Sequence, residues 1–319
     1  MNEPFCSFAD VLAAAARIAP HVNATPVLQS RSLEQLLGAS VWFKAEPMQR
    51  TGSFKFRGAC NAVWALPATQ AGKGVITHSS GNHGAALALA ARTRDIPCHV
   101  VVPHGAVPAK VASIRRYGAT VHVCAPTAAD REQTCARIAG ETGATMIHPY
   151  ANAQVIAGQG TAALELINAA GPLDVVMAPV GGGGLMSGTA IATAAMAPAC
   201  ARWGAEPEGA ADTARSLAAG RREVDFVPDT VCDGLRGPVG APNFELLRAH
   251  GVQVTTVSDD ETVAAMRQLW ECLKVVVEPS SATVLAALLK QRDAIAGKRV
   301  GVILSGGNVD LDAMPWSSR

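Results

Sequence analysis

The sequence predicts an α/β protein with mostly parallel sheet. Short apolar runs alternate with alanine-rich stretches along nearly the whole chain. The apolar runs are continuous, which is typical of strands covered by helices on both faces. The candidate strands are Val41–Glu46, Gly74–Ser79, Cys98–Pro103, Thr120–Cys124, Val175–Val180 and Val300–Leu304. The candidate helices between them include His83–Arg94, Ala109–Tyr117, Arg131–Thr142 and Gly160–Ala170.

Composition indicates a globular protein and disfavours two classes of partner. Of the 319 residues 49% are hydrophobic and 17% charged, and the formal net charge is +1. Without a basic stripe we expect neither nucleic-acid binding nor attraction to a membrane surface. The apolar runs are too short to cross a bilayer, and residues 1–20 carry no basic leader, so we expect a cytoplasmic protein. The eight cysteines form no Cys-x-x-Cys pair and are expected to be small core residues.

The turn Ser79–Gly84 follows a predicted strand and opens a helix. Ligands of parallel α/β sheets bind beyond the carboxyl ends of strands, so such turns are where chemistry is expected. Its hydroxyl and amide groups at a helix N-terminus suit either simple capping or the binding of a carboxylate. His83 in the same turn suits either proton transfer or a structural hydrogen bond.

The run Gly181–Gly184 follows another predicted strand and precedes a helix. Consecutive glycines lose much conformational entropy on folding, and a flexible linker does not fit between a buried strand and a helix. The run therefore predicts backbone N–H groups aimed at a phosphate. Its spacing differs from the patterns of nucleoside-triphosphate and dinucleotide sites.

Two further strand exits are less specific. The turn Ser305–Asp310 is glycine-rich, which is also ordinary for a strand exit. In the segment Trp203–Asp212, which we interpret as a turn, Glu206 and Asp212 offer hard oxygen ligands for Mg²⁺ or Ca²⁺. The alternative is that these two carboxylates are simply solvated.

Lys55 lies between Phe54 and Phe56, which is unusual company for a surface lysine. Apolar neighbours disfavour the charged ammonium and lower its pKa, and the neutral amine is the form that condenses with an aldehyde. The alternative is a lysine at a helix start whose stem covers apolar surface. None of the other six lysines has comparable neighbours.

Taken together, these segments resemble the fold-type II pyridoxal-phosphate enzymes, specifically the serine racemase and threonine/serine dehydratase group. The matching motifs run in order along the chain: Thr25–Pro26, Ser53–Gly58, Ser79–Gly84, His148–Pro149, Ile156–Thr161, Gly181–Gly184, Glu278–Pro279 and Ser305–Asn308. The resemblance implies a fold similar to the tryptophan synthase β type, with two lobes that each hold a mostly parallel sheet flanked by helices. Residues 1–73 and 151–319 would form the large cofactor-binding domain, and residues 74–150 a small mobile domain.

The resemblance also implies how the cofactor is held. Lys55, next to Phe54, would carry pyridoxal phosphate as a Schiff base and would be the first catalytic residue. Gly181, Gly182, Gly183 and Gly184 would bind the phosphate. Asn82 would meet the 3-oxygen of the cofactor, and Ser305 would face its pyridine nitrogen.

Substrate and metal residues are implied in the same way. Ser53 and the turn residues Ser79, Ser80, Asn82 and His83 would hold the substrate carboxylate, and Ser80 would be the second base in racemisation. Arg131 falls at the substrate entrance of the racemase-like branch, although it could equally be a solvated helix residue. Glu206, Ala210 and Asp212 match the metal loop of that branch, so we expect Mg²⁺, Ca²⁺ or Mn²⁺ there.

The implied reaction is β-elimination from serine, threonine or 3-hydroxyaspartate to a 2-keto acid and ammonia, with serine racemisation as a second outcome. Alternatives are a specialised lyase of the same fold, such as a hydroxyectoine-pathway type dehydratase, and a non-catalytic amino-acid-binding protein. A binding protein would have no need of Lys55. Tyr150 departs from the asparagine of animal serine racemases, and Arg236 could meet a second substrate carboxylate or face water. We expect a homodimer, as is common among such enzymes.

Overall fold

The structure, a computed structural model, describes residues 5–223 and 225–316. Its strands are β1 (Val27–Leu28), β2 (Ser40–Ala45), β3 (Val75–His78), β4 (Cys98–Pro103), β5 (Thr120–Cys124), β6 (Thr145–Met146), β7 (Val175–Pro179), β8 (Ala201–Pro207), β9 (Gln253–Val257) and β10 (Arg299–Leu304). They form a six-stranded sheet in the order β1-β2-β10-β7-β8-β9 and a four-stranded sheet in the order β5-β4-β3-β6. Only β1 pairs antiparallel with its neighbour, β2, among these strands. The predicted α/β class with mostly parallel sheets is confirmed.

Helices alternate with these strands. They are α1 (Phe8–Ile18), α2 (Arg31–Leu37), α3 (Lys55–Ala65), α4 (Ala68–Ala71), α5 (Asn82–Thr93), α6 (Pro108–Arg116), α7 (Ala128–Thr142), α8 (Ala153–Ala170), α9 (Gly184–Met196), α10 (Asp212–Ala219), α11 (Ala241–Ala249), α12 (Asp259–Leu273), α13 (Pro279–Lys290) and α14 (Arg292–Ile295). The four strands of the smaller sheet all lie within residues 74–150. The mobility of that segment stays a prediction.

The predicted strands end within a residue of the observed ones, whereas two helices, α7 and α8, begin earlier than predicted. Helix α8 begins at Ala153 and passes through Gly158 and Gly160 without a break. A Cβ at Gly158 would lie 2.6 Å from the Cα of Gly58 on α3, and one at Gly160 would lie 2.9 Å from the carbonyl oxygen of Gly188 on α9. These glycines permit close helix packing, and they do not mark the start of the helix.

A buried ion-pair network holds α3 against β2 and α8. Arg57 on α3 is fully buried, and its Nε and Nη2 each donate to Glu46 at 2.8 Å. The same guanidinium donates to Glu165 on α8 at 2.6 and 2.8 Å. Lys44 on β2 also pairs with Glu165, at 2.6 Å. The network therefore fixes the start of α3, where Lys55 lies.

The cysteine prediction is confirmed, because all eight cysteines are free and seven of them are buried. Between residues 5 and 316, leaving aside residue 224, no helix has the length and apolarity needed to cross a membrane.

Candidate functional site

The loops after β2 and β10 meet at the carboxyl edge of the larger sheet. Ser53 and Gly306 form an isolated antiparallel bridge. The N–H of Phe54 donates to the carbonyl of Ser305 at 2.9 Å, and the N–H of Gly307 donates to Gly52 at 2.9 Å. The predicted residues Ser53, Phe54 and Ser305 are therefore brought together by backbone pairing.

Lys55 is the first residue of α3 and is half-buried in the cleft. Its Nζ donates to the carbonyl of Pro149 at 3.0 Å and lies 5.1 Å from the centroid of the Phe54 ring. Desolvation by the surrounding protein lowers the pKa of Lys55 to about 8, although the nearby Glu278 carboxylate acts in the opposite direction. A substantial fraction of the amine is therefore neutral near physiological pH, as a Schiff-base lysine requires.

The glycine run after β7 forms a cradle of free backbone donors. In the part of the chain that the structure describes, the N–H groups of Gly181, Gly182 and Gly183 donate to no acceptor. Gly183 has a φ of +88°, and α9 begins at the next residue. A Cβ at Gly182 would lie 2.4 Å from the ring of Tyr150. Buried free donors at a helix N-terminus suit a phosphate group.

Asn82, at the start of α5, joins the two sheets across the cleft through Glu278. Its Nδ2 donates to both carboxylate oxygens of Glu278, at 3.0 and 3.1 Å. The Nδ2 of Asn308 donates to Asn82 Oδ1 at 2.9 Å, and the N–H of Asn308 donates to Glu278 at 3.2 Å. Burial, and next the charge of Asp233, raise the pKa of Glu278 to about 7.

Glu278 is a cleft residue whose role is not predicted from its sequence motif. The available signal was the Glu278–Pro279 pair at a helix start, where Glu278 is the N-cap residue but its side chain makes no capping bond. That carboxylate is free to point into the cleft because it is not used by its own helix.

Several serine hydroxyls in the cleft lack partners. The Ser53 hydroxyl is buried without a hydrogen bond. Ser305 is only 3% exposed, and its hydroxyl bonds to none of the described residues. Ser79 accepts a 3.4 Å bond from the N–H of Gly81, and Ser80 is half-buried. The Ser53 and Ser305 hydroxyls can therefore bond to a ligand.

His83 is buried, and its Nε2 lies 3.3 Å from the carbonyl oxygen of Ile147. Because a carbonyl can only accept, we assign the ring proton to Nε2. Burial and next the Lys55 charge hold the pKa of His83 well below its ordinary value. The geometry supports the structural hydrogen bond over proton transfer by an imidazolium.

Neither Arg131, predicted at the substrate entrance, nor Arg236, considered for a second substrate carboxylate, forms a hydrogen bond to the cleft residues around Lys55. Arg131 is half-buried near the start of α7, and its Nε donates to Thr127 at 3.3 Å. Arg236 is exposed, and its Nε and Nη2 both donate to the carbonyl of Thr230, at 3.1 and 2.6 Å. The bonds to Thr230 direct the Arg236 guanidinium toward its own loop.

The segment Trp203–Asp212 is not wholly a turn, because β8 continues to Pro207. Glu206 thus lies in a strand and accepts the N–H groups of Thr213 and Ala214 at 3.1 and 2.9 Å. Asp212 Oδ2 accepts the N–H of Val239 at 2.8 Å, whereas Asp212 Oδ1 is buried without a partner.

Burial raises the pKa of Glu206 to about 8 and that of Asp212 to about 6. None of the hydrogen bonds of these carboxylates reaches the loops around Lys55. Glu206 and Asp212, the predicted metal ligands, therefore share no hydrogen bond with the loops around Lys55.

The cleft residues fit the expected pyridoxal phosphate. The free N–H groups of the glycine cradle suit its phosphate, the lowered pKa of Lys55 suits its aldehyde, and the unpartnered hydroxyl of Ser305 suits its ring nitrogen.

Comparison with known proteins agrees with this fit. The family described as "Pyridoxal-phosphate dependent enzyme" matches residues 18–306. A β-hydroxyaspartate dehydratase from Paracoccus denitrificans is 48% identical over 311 residues, which cover 98% of this chain and 99% of that protein. The crystal structure of serine racemase from Dictyostelium discoideum superposes with a TM-score of 0.92 at 45% identity, covering 96% of this chain and 100% of that one. The structure of maize serine racemase superposes with a TM-score of 0.94 at 42% identity, covering 96% of this chain and 95% of that one.

Proposed function

The chain belongs to the pyridoxal-phosphate dependent enzymes, and on that premise we propose that it is an ammonia-lyase acting on a β-hydroxy amino acid. The substrate loses its Cα proton and its β-hydroxyl as water. The released enamine takes up water and gives a 2-keto acid and ammonia. The observation that carries the proposal is the Lys55 amine, with its lowered pKa, in a cleft that also holds a free phosphate cradle.

The residues of the chain have distinct tasks in this reaction. Bound pyridoxal phosphate supplies an electron sink that acidifies the Cα proton of an attached amino acid. Lys55 Nζ would accept that proton, because its pKa of about 8 suits a general base near neutral pH. The start of α5, with Ser79, Ser80 and Asn82, would hold the substrate carboxylate through N–H groups and the helix dipole.

Ser305 would set the strength of the electron sink. Its neutral hydroxyl cannot stabilise a protonated ring nitrogen as a carboxylate can, so the sink is moderated. With Ser305 at the ring nitrogen the cofactor would supply a weaker electron sink, which would suit elimination of the β-hydroxyl.

Serine racemisation is the second candidate function, and Ser80 supports it. This residue is half-buried in the turn that precedes Asn82, and its hydroxyl bonds to none of the described residues. A racemase needs a second acid or base on the substrate face opposite Lys55. Both reactions begin with the same proton removal, and about 1.4 kcal/mol between the following barriers changes their ratio tenfold.

We further propose a divalent-cation site formed by Glu206, Asp212 and the Ala210 carbonyl. The support is chemical: both carboxylates are buried, and Asp212 Oδ1 has no partner. Oxygen donors of this kind suit Mg²⁺, Ca²⁺ or Mn²⁺. A chelator should lower the midpoint temperature of thermal unfolding, and Mg²⁺ should restore it; an unchanged midpoint would rule the metal site out.

Homodimerisation and a cytoplasmic location stay predictions.

The function is tested with the purified holoenzyme and with L-serine, D-serine, L-threonine and the isomers of 3-hydroxyaspartate as substrates. Keto acid and ammonia should form in equal amounts from at least one of them. Enantiomer ratios measured in the same samples report racemisation. If no substrate yields keto acid but the enantiomers interconvert, the racemase is the correct function. If neither occurs while the amino acids bind, the protein is a binding protein.

A further inference from the structure

Tyr150 lies between the Lys55 amine and the glycine cradle. The carbonyl of the preceding residue, Pro149, accepts the bond from Lys55 Nζ at 3.0 Å. The carbonyl of Tyr150 itself accepts a 3.2 Å bond from Asn243 Nδ2. The side chain is half-buried. The backbone of Tyr150 is therefore held beside the amine that carries out the reaction.

The ring of Tyr150 packs closely over the phosphate cradle, in space that is open only because Gly182 and Gly184 have no side chains. A Cβ at Gly182 would lie 2.4 Å from Cγ and Cδ1 of the ring, and a Cβ at Gly184 would lie 3.0 Å from Cβ of Tyr150. The ring of His148 meets it edge-on, with centroids 4.5 Å apart and planes at 89°. A phenol confined in this way can present its hydroxyl with little loss of conformational entropy.

The hydroxyl of Tyr150 is unused. It bonds to no group in residues 5–223 and 225–316, and it is not fully buried. Burial of the ring, and next the Asp212 charge, raise the pKa of Tyr150 from its ordinary value of 10.0. The phenol thus stays protonated at neutral pH and can donate to an anion.

The direction of the ring separates this donor from the phosphate cradle. The base of the ring, at Cγ, covers Gly182, whereas the oxygen at its far end lies 3.7 Å from where a Cβ of Gly237 would stand. The positive charges of Arg131 and Arg222 also act on the phenol, opposed by Asp212 and Glu132. Asp212 Oδ2 accepts the Val239 N–H and does not accept the Tyr150 hydroxyl, which therefore stays available to a ligand.

We propose that Tyr150 is a specificity-determining residue whose hydroxyl donates a hydrogen bond to the distal carboxylate of 3-hydroxyaspartate. This inference rests on the proposed lyase function and names its substrate class. At that position serine has only hydrogen and threonine a methyl group, neither of which accepts a hydrogen bond, so only a dicarboxylic substrate uses the donor. A site that offers a placed hydrogen bond discriminates strongly against substrates that cannot accept it.

The test compares holoenzymes that carry Y150F and Y117F. Phenylalanine at position 150 keeps the ring over Gly182 and removes only the hydroxyl. Tyr117 is the only other tyrosine in the chain, and its ring contacts Arg92 and Arg116 on the smaller lobe, so Y117F is the matched control. For each enzyme, kcat/KM is measured with 3-hydroxyaspartate isomers and with L-serine, and cofactor occupancy is measured by absorbance after dialysis.

We expect Y150F to lower the ratio of kcat/KM for 3-hydroxyaspartate over serine by about ten- to a hundredfold, the effect of losing one bond to a charged acceptor. Y117F should leave the ratio unchanged. An unchanged ratio in Y150F overturns the inference. So does equal loss for both substrates with lower cofactor occupancy, which would assign the hydroxyl to the phosphate. A wild type that uses serine but not 3-hydroxyaspartate refutes this inference alone, whereas one that eliminates nothing refutes the proposed function as well.

Discussion

Arg57 and Lys55 lie two residues apart on α3, and the surrounding protein shifts their pKa values in opposite directions. The guanidinium of Arg57 is enclosed by the carboxylates of Glu46 and Glu165, which raise its pKa above the ordinary value even though burial acts against them. Lys55 has no ion pair among the described residues, and desolvation lowers its pKa to about 8. The paired cation stabilises the position of the helix, and the unpaired cation is available for chemistry.

The difference shows how one helix can serve stability and reactivity together. Pairing offsets the desolvation cost of a buried charge, and removing one partner leaves the other uncompensated. A buried amine without a pair is instead pushed toward its neutral form. The perturbed groups Lys55, His83 and Glu278 all lie in the cleft, as expected for a functional site.

The largest effect is expected at the unpaired cation. K55A should abolish the visible absorbance of the bound cofactor and lower lyase activity by at least about a thousandfold, because no other amine is placed to replace it. K55R is the matched control: it keeps a cation at the start of α3 but cannot condense with an aldehyde. A borohydride-sensitive absorbance band that persists in K55A would contradict the assignment of Lys55.

The second effect concerns the paired cation. R57M should lower the free energy of unfolding by about 3–5 kcal/mol, because Glu46 is then buried without its partner. The control is R137M, which breaks an exposed pair with Glu141 whose side chains are 60% and 57% exposed and which should cost less than about 1 kcal/mol. Urea unfolding of both variants measures the two values. Equal losses would show that the Arg57 network is no more important than a surface pair.

Glu278 offers a smaller test through pH. Its pKa in the folded protein is about 7, above the ordinary 4.5, so its contribution to stability is fully present below about pH 4.5 and is lost as the pH rises through 7. The cofactor-free wild type should therefore lose roughly 1–3 kcal/mol relative to E278Q between those values. Urea unfolding measures both free energies at each pH. If they change equally with pH in the two proteins, the pKa of Glu278 is not raised.

The smallest effect is on cofactor loading. Because Lys55 must be neutral to condense with an aldehyde, the rate at which apoprotein binds pyridoxal phosphate should rise about tenfold per pH unit below pH 8 and level off above it. Stopped-flow absorbance gives the midpoint. A midpoint near 10.5, the ordinary lysine value, would mean that the cleft does not desolvate the amine.

Much of the fold was predictable because local sequence carries it. The strands β4 and β5 have the predicted bounds. Continuous apolar residues predict the buried strand β4, whereas β5 alternates polar and apolar residues and, as an edge strand, buries only Cys124. The start of α8 was wrong, because glycine is a weak helix former by itself but is required where two helices touch. The whole of β8 was missed, since Gly204 and Pro207 resemble a turn in sequence.

The sequence by itself determined the chemistry that depends on neighbouring residues: the lysine between phenylalanines, the glycine run and the polar turns after strands. Each of these is read from a short segment, and each indicates one class of ligand group. Only the tertiary structure decided which distant residues complete the site. Glu278 meets Asn82 from 196 positions along the chain, and Tyr150 meets the glycine cradle, because loops that follow strands of the smaller sheet contact segments packed on the larger sheet. Burial and pairing, and hence the state of Lys55 and Arg57, follow from that assembly.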